Sequence, residues 1–205
     1  MDKNSRGKGL AIAFLGPDGS GKSTIIDGLR QKRLPFARMD YFHLKPVVQP
    51  EGKAQRTVTD PHSKKPYGTL KSYVKLAYFV LQYNFGWYRN IRPLLQKSTL
   101  IIFDRYFDDM LADPKRYRYG GGISLLERVR KWIPKPDFYF VLIAPPEIIH
   151  ARKQEVPLDE LKRQIMAYDN LIDNNRYIGI DVTQGPEDIV EQIKAILLKK
   201  VYGTD

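Results

Sequence analysis

The residues with the clearest chemical potential lie near the start of the chain, in Gly16-Pro17-Asp18-Gly19-Ser20-Gly21-Lys22-Ser23-Thr24. Glycines spaced as Gly16, Gly19 and Gly21 let a backbone turn its N–H groups inward as a nest for anions. A helix that starts at Lys22 aims its positive end at the same point. The side chains then divide the work. Lys22 reaches the β- and γ-phosphates of a nucleoside triphosphate, and Thr24 meets the α-phosphate, with Asp18 and Ser20 completing the loop. Ser23 lends a hydroxyl to Mg2+, a hard ion that prefers oxygen ligands. ATP and Mg2+ are the implied cofactors. A chance glycine-rich turn is the competing reading, and it is disfavoured by the apolar run before the loop and the helical spacing after it.

A second group sits at Asp104-Arg105-Tyr106. The apolar run Leu100-Ile101-Ile102-Phe103 delivers Asp104 to the end of a strand, the place for an acid that holds magnesium through its water shell. Arg105 offers a planar fork to phosphate oxygens. Taken alone the tripeptide is weak evidence, since a helix cap and a surface arginine look the same. Downstream, Lys115-Arg116-Tyr117-Arg118-Tyr119-Gly120-Gly121-Gly122 interleaves cations with aromatics, which suits an acceptor site as well as it suits a solvated loop. Arg152 and Lys153 follow a fourth apolar run, where a lid would bring cations onto the transferring group, and Arg163 is a weaker third candidate. A phosphate acceptor needs no general base; for a hydroxyl acceptor Asp40, Asp18 or Asp108 could take the proton. His43 and His62 read as structural or loop residues, and His150 as part of a helix face.

The elements that must position these groups alternate. Strands are expected at Leu10 to Leu15, Phe36 to Phe42, Thr99 to Phe103, Phe138 to Ile143 and Tyr177 to Val182. Helices are expected over Lys22 to Arg33, Leu70 to Gln96, Ser124 to Trp132, Pro146 to Lys153, Leu158 to Asn174 and Pro186 to Tyr202. The helix from Leu70 is apolar nearly all round, with Tyr73, Ala77, Leu81, Phe85 and Tyr88 recurring, which predicts deep burial and a kink near Gly86 or Pro93. Five strands alternating with helices imply an α/β fold: a five-stranded parallel sheet with helices on both faces and ligands beyond the carboxyl ends of the strands. Both motifs follow strands and fall on that edge. The expected layout is one domain, 1–205, with a core from residue 9, a mobile loop at about 44–69 punctuated by prolines, and a lid at about 146–158.

Composition sets outer limits. The chain has 205 residues, 42% of them hydrophobic, enough for one substantial core. With no Cys there is neither a disulfide framework nor thiol chemistry, as a reducing compartment would allow. No apolar run is long enough to span a membrane, so a cytoplasmic protein is expected. The formal charge of +11 predicts anionic partners. Its cations are scattered rather than gathered in a tail, which favours a small-molecule phosphate acceptor over nucleic acid. A homodimer is left open.

On these motifs the chain resembles the thymidylate kinase family, P-loop nucleoside monophosphate kinases whose signatures are a phosphate loop with Asp-Gly-x-Gly-Lys-Ser/Thr-Thr and an Asp-Arg-Tyr after the third strand. Leu10 to Arg33 and Arg92 to Phe107 carry the likeness closely, and Pro146 to Leu171 more loosely. It looks most like the thymidylate kinase-like proteins of bacterial surface-polysaccharide gene clusters, through His43-Leu44-Lys45-Pro46, Asp113 to Gly121 and Arg152-Lys153-Gln154-Glu155. The resemblance implies that Asp18 faces the acceptor, that Arg105 binds the acceptor phosphate and that Arg152 with Lys153 closes over ATP. It implies a phosphotransferase passing the γ-phosphate of ATP to a small acceptor such as dTMP. This chain departs from the family where thymidine is held: Tyr83 stands at the place of a base-reading arginine, and Asp113 and Pro114 replace a tyrosine and a glutamine. Those departures keep a sugar, glycan or lipid-linked acceptor open, and the charge keeps a nucleic-acid-binding ATPase open.

Overall fold

The computed structural model describes residues 9–47 and 65–203, so most of the loop at about 44–69, and His62 within it, lie outside the described residues. Five strands, β1 (Leu10–Leu15), β2 (Arg38–His43), β3 (Thr99–Asp104), β4 (Phe138–Ile143) and β5 (Tyr177–Asp181), form one parallel sheet in the order β2-β3-β1-β4-β5. All six residues of β1 are buried, as a central strand covered on both faces requires. The chain leaves β1 for the far edge at β2, returns through β3 and then crosses to β4. The reversal therefore falls beside β1, where a crevice opens beyond the strand ends.

Two apolar layers enclose the sheet. On one face Ile25, Ile26 and Leu29 of α1 (Lys22–Gln31) pack with Ile189, Ile193 and Leu197 of α8 (Pro186–Tyr202) against Ile12, Phe14 and Ile102. On the other, Leu76, Phe79 and Tyr83 of α2 (Thr69–Gly86) and Leu126 and Val129 of α5 (Ile123–Arg130) pack against Ala13, Ile101 and Phe103.

The long helix is where the expectation needs correcting. It runs through α2, a five-residue π turn at Trp87–Ile91 and α3 (Arg92–Leu95), so the irregularity starts directly after Gly86. Its buried stripe is Ser72, Leu76, Phe79, Tyr83 and Gly86. The residues read as its core, Tyr73, Ala77, Leu81, Phe85 and Tyr88, are the exposed ones, Leu81 and Phe85 by two-thirds. Hydropathy cannot choose a side on a helix that is apolar all round; only the position of the sheet does. Three shorter helices are also described: α4 (Asp109–Ala112), not anticipated because a single turn is too short to show a helical period, α6 (Pro146–Arg152) and α7 (Leu158–Asp169).

Candidate active site

The turn after β1 is tight because β4 lies against it. A Cβ on Gly16, at φ 145°, would stand 2.7 Å from the Leu142 carbonyl oxygen, and one on Gly19, at φ 86°, would meet Lys153 Cβ at 3.0 Å. Only glycine fits such backbone at such distances. The loop opens onto α1, whose N-terminus has no side-chain cap, so its first amides are left for a ligand. Ser23 and Thr24 are exposed on that first turn.

Lys22 is buried, and its Nζ donates to the carbonyls of Gly16 and Pro17, both at 2.8 Å, and to Ser20 Oγ at 3.2 Å. Burial and then the charge of Arg105 push its amine down to about 7. An arriving polyphosphate supplies the opposite charge that restores the ammonium.

Arg105 begins the return from β3 in the left-handed region, φ 69°, where a side chain costs on the order of 1 kcal/mol. Its neighbours over-determine that conformation. Its amide donates to the Phe14 carbonyl at 3.0 Å, Nη1 donates to Asp109 Oδ2 at 2.7 Å, and Nη2 is paired with Asp18 Oδ1. The second oxygen of Asp18 is taken by Arg116, from the basic and aromatic segment. Two guanidiniums thus lie side by side on one loop carboxylate. Burial would raise the Asp18 carboxyl, yet Arg105, a hydrogen bond with Glu155, and Arg116 hold it well below the usual range. The same hydrogen bond, and then burial, raise the Glu155 carboxyl.

Asp104, at the end of β3, accepts from Tyr41 on β2 at 3.0 Å, and His43 Nδ1 stands 3.8 Å from the same oxygen. Burial would raise its pKa; His43, Lys22 and Arg105 lower it more, so the carboxylate is charged. Its other oxygen, Oδ1, is buried with no protein partner. An orphaned carboxylate oxygen at the end of β3, with an exposed serine hydroxyl on the first turn of α1, fits the water shell of Mg2+, which binds through one or two protein oxygens plus phosphates. Among the described residues no cluster of three acidic or imidazole ligands exists, so Ser23 and Asp104 would hold the ion only together with a substrate.

Other expected residues fall elsewhere. Arg152 is not brought to Lys22 and Arg105: it ends α6 with Nη2 donating to the Val182 carbonyl at 2.9 Å. There it walls a cavity of about 280 Å³ that flanks Gly21 and Thr24. The register of α6 turns it that way, and Lys153 pairs instead with Glu155 at 2.6 Å. Arg163 is tied to Glu160 and to the Ala112 carbonyl. Asp108 is engaged by other partners: it pairs with Arg130 and accepts from Tyr177 on β5. Asp40 pairs with Arg38 and lies opposite Ile101, three residues short of the edge. Tyr83 is a core residue, its hydroxyl donating to the Leu44 carbonyl at 2.5 Å and its ring edge-on to Tyr106. Asp113 is buried and accepts from the Arg116 amide.

Sequence reasoning missed Asp109, which is fully buried and takes bonds from Arg105, Tyr117 and Tyr168 at once. Its four-residue spacing from Arg105 on one turn of chain was the available signal.

The likenesses to known proteins agree with this geometry. A family profile described as Thymidylate kinase matches residues 14–193. The thymidylate kinase of Lactobacillus helveticus is 26% identical over 218 residues, covering 95% of this chain and 98% of its own. That of Bacillus cytotoxicus is 24% identical over 211 residues, covering 95% and 99%. Among solved structures, a thymidylate kinase from Candida albicans matches the fold with a TM-score of 0.64 over 96% of this chain and 94% of that one, at 20% identity. With its loop and its Asp-Arg-Tyr turn both falling within the matched span, the chain belongs to the thymidylate kinase family of ATP-using P-loop kinases.

Proposed function

We propose that this chain transfers the γ-phosphate of ATP to the phosphate of dTMP. The observation that supports this reading most is the pairing of Arg105 and Arg116 on the two oxygens of Asp18, beside the loop closed by Lys22. Two guanidiniums that already grip the two oxygens of one carboxylate are set for the oxygens of a phosphate monoester. That phosphate supplies the nucleophile: its oxygen forms a bond to the γ-phosphorus as the bond to the bridging β–γ oxygen breaks, and ADP leaves. No general base is required, which accords with Asp40 and Asp108 being engaged elsewhere. Lys22 and the loop amides hold the β- and γ-phosphates, and Arg105, immobilised by Asp109, neutralises charge between acceptor and donor. Arg152 and Thr24 line the cavity that takes the rest of ATP. Mg2+, held by Ser23 and through Asp104, supplies charge neutralisation when bound.

The test is an ADP-release panel offering dTMP, other nucleoside monophosphates, nucleosides and sugars. Selective turnover of dTMP is expected; turnover of a sugar with none of dTMP would overturn the acceptor, and hydrolysis without any acceptor would overturn the kinase.

No described helix is long and apolar enough to cross a membrane, which supports a cytoplasmic enzyme. The outward stripe of Leu70, Val74, Leu81, Phe85 and Tyr88 supports a homodimer built on α2. Leu81→Glu is expected to shift sedimentation towards the monomer without lowering the unfolding midpoint.

A further inference from the structure

Three cations on the acceptor side of the site have no acidic partner among the described residues. Lys45 follows β2 and is pinned where the Leu44 amide donates to the Asp104 carbonyl. Its Nζ lies 3.7 Å over the ring of Phe79 and donates at 2.7 Å to Gln82 Oε1. Lys75, on α2, lies 5.5 Å from the same ring on its way to the Tyr117 carbonyl. Arg118 stacks at 4.0 Å on Tyr67, donates to the Tyr67 hydroxyl at 2.9 Å and to the Lys65 carbonyl at 3.1 Å. Among the described residues, every acceptor these three have found is neutral.

The row is close-set and half-buried. Burial and repulsion by Lys75 bring the Lys45 amine down to about 8, and burial with repulsion by Arg118 lowers Lys75 as well. Like charges drawn together in a partly desolvated place are unfavourable unless an anion joins them. The row also adjoins the reacting groups. Tyr117, whose carbonyl receives Lys75, donates its hydroxyl at 2.7 Å to Asp109, the carboxylate that anchors Arg105.

We propose that Lys45, Lys75 and Arg118 form a second anion subsite, which takes a further anionic group, phosphate or carboxylate, on a ligand whose first phosphate is held by Arg105, as a 3′-phosphate on the acceptor's sugar would be. The aromatic floor of Phe79 and Tyr67 suits an acceptor with a flat or apolar middle. The inference deepens the proposed phosphotransfer and rests on it only for what lies in the neighbouring site.

Inorganic phosphate is the probe. Protein saturated with a non-hydrolysable ATP analogue and Mg2+, so that the phosphate loop is filled, is titrated while the lysine side-chain carbon signals are followed. The Lys45 and Lys75 signals are expected to shift together and saturably. Lys45→Met and Lys75→Met, which keep the apolar stem, each lower the affinity about tenfold, the loss of one charge-assisted contact. Lys45→Arg restores most of it, and Lys135→Met, on the exposed surface past α5, changes nothing. In ADP-release assays thymidine 3′,5′-bisphosphate is expected to show a lower KM than dTMP, with the difference abolished in Lys75→Met. If phosphate leaves Lys45 and Lys75 unmoved in protein that turns over dTMP, the subsite is wrong and the kinase reading stands. If dTMP is not turned over while both lysines respond to phosphate, the acceptor is wrong and the subsite stands.

Discussion

The cations at the ligand edge divide into two groups that treat their charge differently. Lys22, Arg105 and Arg116 sit among acids and carbonyls supplied by the chain itself: Asp18 bridges the two arginines, Asp109 fixes one of them, and Gly16 and Pro17 hold the lysine. Lys45, Lys75 and Arg118 sit on aromatic rings and carbonyls with no acidic counter-charge among the described residues. The first group is assembled before any ligand arrives, as groups must be when they act on charge that develops briefly during transfer. The second group holds unspent electrostatic attraction, which serves recognition of a stable anion. Built-in neutralisation marks the reacting end of the site, and its absence marks the selecting end.

The largest test of this division is Lys22→Ala. It is expected to lower turnover by about a thousandfold or more, read as ADP release, because preorganised charge is the main source of rate in phosphoryl transfer. A variant that kept most of its rate would remove the first group from the chemistry.

Next comes Asp109→Ala. It strips a fully buried carboxylate from Arg105, Tyr117 and Tyr168 and leaves the guanidinium uncompensated, so a loss of about 3–5 kcal/mol in urea unfolding is expected. A loss no greater than that of a surface pair would mean that Arg105 is held by other contacts.

Arg116→Ala sharpens the boundary between the groups. Its side chain is less buried than that of Arg105 and Asp18 is its one side-chain partner among the described residues, so the unfolding midpoint should hardly move. A fall of about tenfold in kcat/KM for dTMP is expected from the lost charge-assisted contact.

The smallest effect is on stability and concerns the second group. The amine of Lys45 titrates at about 8 in the fold and at 10.5 when unfolded, so between those values the unfolded chain binds more protons and stability rises with pH. Lys45→Met should therefore be more stable than the parent at pH 7 by about 1 kcal/mol, after allowing for solvent screening, with the gap closing as pH rises from 8 to 10.5. A gap constant over that range would show that the row carries no electrostatic tension.

How far the site was legible depends on how local each feature is. The loop from Gly16 to Thr24 could be read because its function lies in the backbone of consecutive residues. Asp104 and Arg105 could be read because a buried apolar strand carries the residues at its carboxyl end to the edge of the sheet. Arg152 was expected on a lid over ATP; which wall of the site it lines, the cavity beside Gly21 and Thr24, is set by the register of α6. Arg116 lay inside a segment recognised as basic and aromatic, but nothing local distinguishes it from Lys115 or Arg118.

The sequence by itself determined the donor chemistry, the parallel α/β class and the edge where ligands meet, all carried by short-range pattern. Tertiary structure alone decided which face of α2 is core, that Asp18 is held between two arginines 87 and 98 residues away, and that Lys45 and Lys75 meet over one phenylalanine. These are contacts between distant segments, and no periodicity records them, because the packing of the sheet brings those segments together.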